Sequence, residues 1–159
     1  MNNSSHAPTD HFTSRVPFDN GRIRAAAVYC SDGRFGEQFD DLMKNSLQLP
    51  RYDRLAVPGG AACLARHFVS FREEEGVAEQ LRFLIDVHGL QRVVLIAHQD
   101  CAFYTKRLKI SPLLLKTQQH DDLAKAVKRV QSLGPNLRID VFFARPNTDK
   151  TVSFETVSL

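Results

Sequence analysis

Two strongly apolar runs of strand length constrain the fold most: Ile23-Arg24-Ala25-Ala26-Ala27-Val28-Tyr29 and Val93-Val94-Leu95-Ile96-Ala97. Between and after them the apolar period changes to a helical one. Phe35, Phe39, Leu42, Met43 and Leu47 recur at helical spacing, and Pro50 closes that segment. Val77, Leu81, Leu84, Ile85 and His88 mark a second amphipathic helix with Gly89 as its stop. Ser111-Pro112 suggests a further helix start, Leu123, Ala126, Val127, Val130 and Leu133 continue the period, and Gly134-Pro135 ends it. Leu55-Ala56-Val57 reads as a short second strand, 92–97 as a third and 137–144 as a fourth. After a turn at 146–150, Val152, Phe154 and Val157 suggest a final, half-exposed strand. Alternating strands and helices predict a three-layer α/β/α fold with a mostly parallel sheet. The last strand returns through a short turn, so it is expected at the C-terminal edge and antiparallel.

In such sheets ligands bind beyond the carboxyl ends of the strands. Cys30 follows the first apolar run, and His98 and Cys101 follow the second. A cysteine at one strand end and His-x-x-Cys at another can form a three-ligand Cys2His site. Zinc favours thiolate and imidazole, and catalytic zinc sites keep a position open beside three protein ligands. Two thiolates and a neutral imidazole carry a charge that just balances one Zn2+ per chain. Cysteine is also among the most buried residue types, so for a lone cysteine simple burial would be the default. Asp32 and Arg34 are expected to point to one side of an extended stretch. The carboxylate could ligate zinc or accept a hydrogen bond beside it, with Arg34 gripping it through a forked pair. A turn motif with a structural ion pair is the other reading of those residues. Gly59 and Gly60 either let backbone approach a small ligand in a substrate pocket or simply form a turn. Cys63 reads as a buried small residue, and His67, His88 and His120 as ordinary. Phe103 and Tyr104 line either the pocket mouth or the core.

Length and composition narrow the function further. At 159 residues the chain makes one domain large enough to need no disulfide scaffold. Residues 1–20, rich in Asn, Ser, Pro, Thr and His, read as a flexible N-terminal arm, leaving 21–159 as the folded unit. A net charge of +3 with scattered basic residues offers nothing to nucleic acid. No apolar run approaches membrane-spanning length, so no membrane is expected. Three cysteines in a chain of this size fit a reducing compartment, hence a cytoplasmic location.

Together these residues resemble the beta-class carbonic anhydrases, in particular their short, compact members. That family has Cys-x-Asp-x-Arg after its first strand, matched by Cys30, Asp32 and Arg34, and His-x-x-Cys after a later one, matched by His98 and Cys101. A glycine pair after the intervening strand looks like Gly59-Gly60. The order agrees from about residue 22 to the C-terminus. Two departures stand out: Ala56-Val57-Pro58-Gly59 where the family often has Arg-Asn-Ala-Gly, and Ala102 where it often has Gly. The resemblance implies a zinc lyase, a carbonate dehydratase, that reversibly hydrates carbon dioxide to bicarbonate with zinc-bound hydroxide. Cys30, His98 and Cys101 would be the metal ligands, and Asp32 and Arg34 the catalytic dyad. It also implies a homodimer or higher homo-oligomer with pockets at subunit interfaces. A carbonyl sulfide or carbon disulfide hydrolase and a non-catalytic zinc-binding protein are the alternatives on the same scaffold.

Overall fold

The computed structural model describes residues 11–159. Five strands form one sheet: β1 (Ala25–Cys30), β2 (Asp53–Val57), β3 (Arg92–His98), β4 (Arg138–Pro146) and β5 (Val152–Thr156), in the order β2-β1-β3-β4-β5. The first four run parallel and β5 is antiparallel to β4, as the sequence pattern predicts. Every residue of β1 is buried, and in β3 every residue after Arg92. Central parallel strands are covered on both faces, which is why these two segments are apolar without alternation. β5, at the edge, stays half exposed.

The pleat divides the core. Ala26, Val28 and Cys30 of β1, with Val93, Leu95 and Ala97 of β3, face a layer made by α2 (Phe71–His88) and α3 (Leu115–Leu133). Ala25, Ala27, Tyr29, Val94 and Ile96 face the opposite layer, where Phe35, Phe39, Leu42 and Met43 pack around α1 (Gly36–Asp41). Leu95 and Ile96 have no exposed surface, and burying side chains of this size stabilises by about 1.5–3 kcal/mol each. No helix among the described residues is long and apolar enough to cross a membrane.

Three helix boundaries differ from the sequence-based expectation. The helix expected to run from Phe35 to Leu47 is α-helical only to Asp41 and then widens into a π-helical turn, Leu42–Ser46, with the Leu47 amide donating to the Leu42 carbonyl at 3.0 Å. The wider turn keeps Leu42 and Met43 buried side by side. α2 begins at Phe71, six residues before its first periodic apolar position, with Glu73 and Glu74 in the first turn, where acidic groups complement the helix dipole. α3 begins at Leu115; Ser111 and Pro112 lie in a preceding turn closed by the Leu114 amide on the Ser111 carbonyl. Gly89 stops α2 in the left-handed conformation at φ 60°.

Positions 1–10 of the expected arm lie outside the described residues. Residues 11–20 have no regular secondary structure and are exposed, Phe18 at 92%. Arg51 tethers their end by donating to the carbonyls of Asp19 and Gly21 at 3.0 and 2.9 Å.

Candidate metal centre

The strand order reverses at β1: β2 lies on one side of it and β3 on the other. Such a switch point opens a crevice at the carboxyl ends of the two strands. Cys30 is the last residue of β1 and His98 the last of β3. Cys101 sits three residues beyond His98, just before a second π-helical turn, Phe103–Arg107. The topology therefore gathers residues about seventy positions apart. The Cys30 and Cys101 sulfurs lie 3.9 Å from each other, and one ligand atom from each of the three residues falls within 4.8 Å of the others.

The histidine is presented in a defined tautomer. His98 Nδ1 lies 2.8 Å from the Gln99 carbonyl oxygen, which can only accept, so Nδ1 carries the proton. Nε2 is then left with a free lone pair, buried and without a hydrogen-bond partner among the described residues. The ring stacks obliquely on Phe35, centroids 4.4 Å apart. The backbone beneath it is fixed by Gln119, whose Nε2 donates to the His98 carbonyl at 2.8 Å. A buried imidazole nitrogen with no partner calls for an explanation, and a metal ion supplies one.

The two thiols are unequal. Cys101 donates toward the Cys30 sulfur, and that contact outweighs burial and holds the Cys30 thiol well below its usual range. Cys101 is pushed up, first by holding its proton toward Cys30 and then by burial. Tetrahedral coordination at Zn–S ~2.3 Å separates two sulfurs by about 3.8 Å. The 3.9 Å spacing, the soft donor set and the orphaned Nε2 fit such an ion with one position left over.

Asp32 and Arg34 are together, but in a turn and not in the extended stretch expected. The Phe35 amide donates to the Asp32 carbonyl at 3.1 Å, and the Arg34 amide to Asp32 Oδ1 at 3.1 Å. The guanidinium then closes a fork, Nε to Oδ1 at 3.0 Å and Nη2 to Oδ2 at 2.6 Å. Hydrogen bonding from Arg34 outweighs burial and holds the Asp32 carboxyl down at about 2. Asp32 is not part of the tight ligand cluster, its oxygens being engaged by Arg34.

Gly59 and Gly60 have φ 87° and 53°. A Cβ on Gly60 would lie 2.4 Å from the Cys30 nitrogen, and one on Gly59 would lie 2.6 Å from the Phe103 ring. The close approach that Gly60 permits is thus to the chain that carries Cys30, and the one that Gly59 permits is to Phe103. Cys63 stays outside the cluster and donates its thiol to the Pro58 carbonyl at 3.1 Å, with burial pushing it up to about 12. Phe103 and Tyr104 are core residues. A cavity of about 670 Å³ between α3 and the β4–β5 pair abuts the same loop at Gln99 and Asp100, but none of Cys30, His98 and Cys101 lines it.

A three-layer α/β chain with two cysteines and a histidine at its switch point has the architecture of a beta-class carbonic anhydrase. The fold is similar to that of the carbonic anhydrase from Streptococcus mutans, at 16% identity and a TM-score of 0.58, covering 93% of this chain and 89% of that one. It is also similar to beta-carbonic anhydrase isoform I from Trichomonas vaginalis, at 15% identity and a TM-score of 0.57, covering 89% and 87%. The model of a family described as "Putative carbonic anhydrase" matches residues 21–156, and the chain belongs to that family. An uncharacterized protein of Rickettsia bellii (strain RML369-C) is 24% identical over 119 residues, 72% of each chain.

Proposed function

We propose that the chain is a zinc-dependent carbonic anhydrase that interconverts carbon dioxide and bicarbonate. The observation that carries the reading is the unpartnered His98 Nε2 close to two cysteine sulfurs, in a chain whose Asp32 and Arg34 form a forked pair two residues further on. Cys30, His98 and Cys101 would hold one zinc per chain. Zinc there would supply Lewis acidity and bring a water's ionisation close to neutral pH. Asp32, kept ionised and oriented by Arg34, would accept a hydrogen bond from the attacking oxygen and aim it at the carbon. Gly59 and Gly60 would let Phe103 and the backbone that carries Cys30 pack closely at the edge of the site. The ligand thiols must stay reduced, which fits the cytoplasm. Stopped-flow CO2 hydration by zinc-loaded protein tests the reading. The expected result is hydration well above the buffer rate. Hydrolysis of carbonyl sulfide without CO2 hydration would move the assignment to that substrate, and neither activity in a zinc-replete chain would sink the enzyme reading.

The same reading includes a homodimer. Phe68 is 98% exposed, with Val69 and Phe71 half or more exposed beside it, and Phe12, Val16 and Phe18 of the arm are uncovered too. Apolar patches of this kind mark association surfaces, and twofold symmetry is the commonest closed solution. Light scattering at low micromolar concentration is expected to give twice the 18.0 kDa chain mass. A fully active monomer would remove the interface from the active site.

A further inference from the structure

His67 has no feature in the sequence to set it apart, yet its ring is clamped at both ends. It sits between two short 3-10 turns, Gly60–Leu64 and Phe68–Ser70. Nδ1 lies 2.7 Å from Glu74 Oε1 on α2, and Nε2 lies 2.8 Å from Asp122 Oδ2 on α3. Carboxylate oxygens only accept, so both ring nitrogens carry protons and the ring is an imidazolium. Burial works against that charge, but Asp122 and Glu74 outweigh it and raise His67 to about 9. The other carboxylate oxygens are bonded as well. The His67 amide donates to Glu74 Oε2 at 3.0 Å, the Ser70 hydroxyl to Glu74 Oε1 at 2.6 Å, and Gln118 Nε2 to Asp122 Oδ1 at 2.9 Å. Lys125 Nζ, 3.6 Å from Asp122, brings a second positive charge to the two carboxylates. Asp122 itself is completely buried.

The cluster stands behind the sulfurs. The His67 ring meets Phe103 and Tyr104 edge-on, centroids 6.3 and 6.5 Å away. Both aromatic residues are buried, Tyr104 at 2% exposure. From these two aromatics the contacts divide. The Tyr104 amide donates to the Cys101 carbonyl at 3.1 Å, while Phe103 packs on Gly59, whose neighbour Gly60 lies against the backbone of Cys30. The backbones that carry both sulfurs therefore rest, through these few residues, on a ring held by a charged clamp.

We propose that His67, clamped between Glu74 and Asp122, is a positioning residue for the metal centre, acting through Phe103 and Tyr104 on Cys101 and, through Gly59, on Cys30. The proposal rests on the reading of Cys30, His98 and Cys101 as metal ligands. Groups behind the ligands of a metal site set how tightly it holds its ion, because they decide whether the donors are already in place when the ion arrives. A clamp that served only to join α2 to α3 would affect unfolding and leave metal exchange alone.

The test uses cobalt(II), whose visible bands report coordination geometry, loaded under reducing conditions into the wild-type chain and into His67→Gln. Two readouts are taken: the visible spectrum, and the rate at which a chelator removes the metal. His67→Gln is expected to keep the far-ultraviolet circular dichroism of the wild type but to release cobalt about tenfold faster or more, with altered bands. Asp122→Asn keeps the shape of the clamp and the contact with Glu74, and it carries the test if His67→Gln does not fold; it too is expected to release metal faster. Wild-type spectra and release rates in whichever variant folds would overturn the positioning role while leaving the metal site standing. A wild-type chain that takes up no cobalt would overturn the metal reading and this proposal with it.

Discussion

Replacing Cys101 with serine is expected to leave the purified chain without zinc, where the wild type carries one equivalent. The substitution exchanges a sulfur for an oxygen of nearly the same reach in a site that is 2% exposed, so the fold has little reason to change. What changes is the donor. A serine hydroxyl does not ionise near neutral pH, so the site loses a negative charge as well as a soft ligand. Three-to-four-ligand zinc sites in small domains bind with apparent free energies of ~10–16 kcal/mol at pH 7, so a third of that is roughly 3–5 kcal/mol, or about 10²- to 10⁴-fold in affinity. Cys30→Ser is expected to behave the same way, because the two sulfurs face one another at 3.9 Å and an ion must take both. Binding also has to displace the proton that Cys101 keeps beside Cys30, so zinc uptake is expected to release protons and to tighten as pH rises. Elemental analysis after dialysis reads the outcome. Full zinc retention by Cys101→Ser would mean that the metal, if present, is held elsewhere.

The Cys30–His98–Cys101 cluster was legible in the sequence because the signal at each position is local. Cys30, His98 and Cys101 each sit at the end of an apolar run whose length marks a strand, and parallel strands bring their carboxyl ends to one edge. The spacing of Asp32 and Arg34 was legible too, but the reason for it was not. A residue pair two apart can meet across an extended chain or a tight turn, and only the backbone distinguishes them. The first turns of α2 left no periodic trace because Arg72, Glu73, Glu74, Glu75 and Gly76 are polar or lack a side chain, and the helix there depends on its acidic first turn. The π-helical turns at Leu42–Ser46 and Phe103–Arg107 shift a hydrogen bond by one residue without altering the apolar pattern. His67 was illegible for a different reason. Its partners stand seven and fifty-five positions away on two helices, so nothing near it in the chain marks it. Gly60 reads in sequence either as a turn residue or as a close approach to a ligand, and what excludes a side chain there is the backbone of Cys30.

The forked pair beside the ligands leads to the other large expected effect. Asp32→Asn is expected to lower CO2 hydration by about 10²- to 10³-fold while zinc content stays at one per chain, the range found when a positioned proton acceptor or a charge-stabilising partner is removed. The amide keeps the shape and one acceptor oxygen but loses the charge that Arg34 holds in place. Its NH2 group can also present a donor where an acceptor is needed. Arg34→Ala acts by another route. The guanidinium is 70% exposed, so its removal leaves no hole in the core and the strand ends stay where they are. What it frees is Asp32, whose carboxylate no longer has the fork that keeps it out of the ligand cluster. A carboxylate is a competent zinc ligand, and one that swings onto the fourth position would close the site. Arg34→Ala is therefore expected to lose hydration strongly, to hold its metal at least as well as the wild type, and to show a changed cobalt spectrum that Asp32→Asn does not share. The double variant should then look like Asp32→Asn in its spectrum, since no carboxylate remains to close the site. Full hydration rates in both single variants would make the pair a turn-stabilising contact with no part in the chemistry. Loss of activity in Arg34→Ala without any spectral change would instead place the effect of Arg34 on the orientation of Asp32 alone.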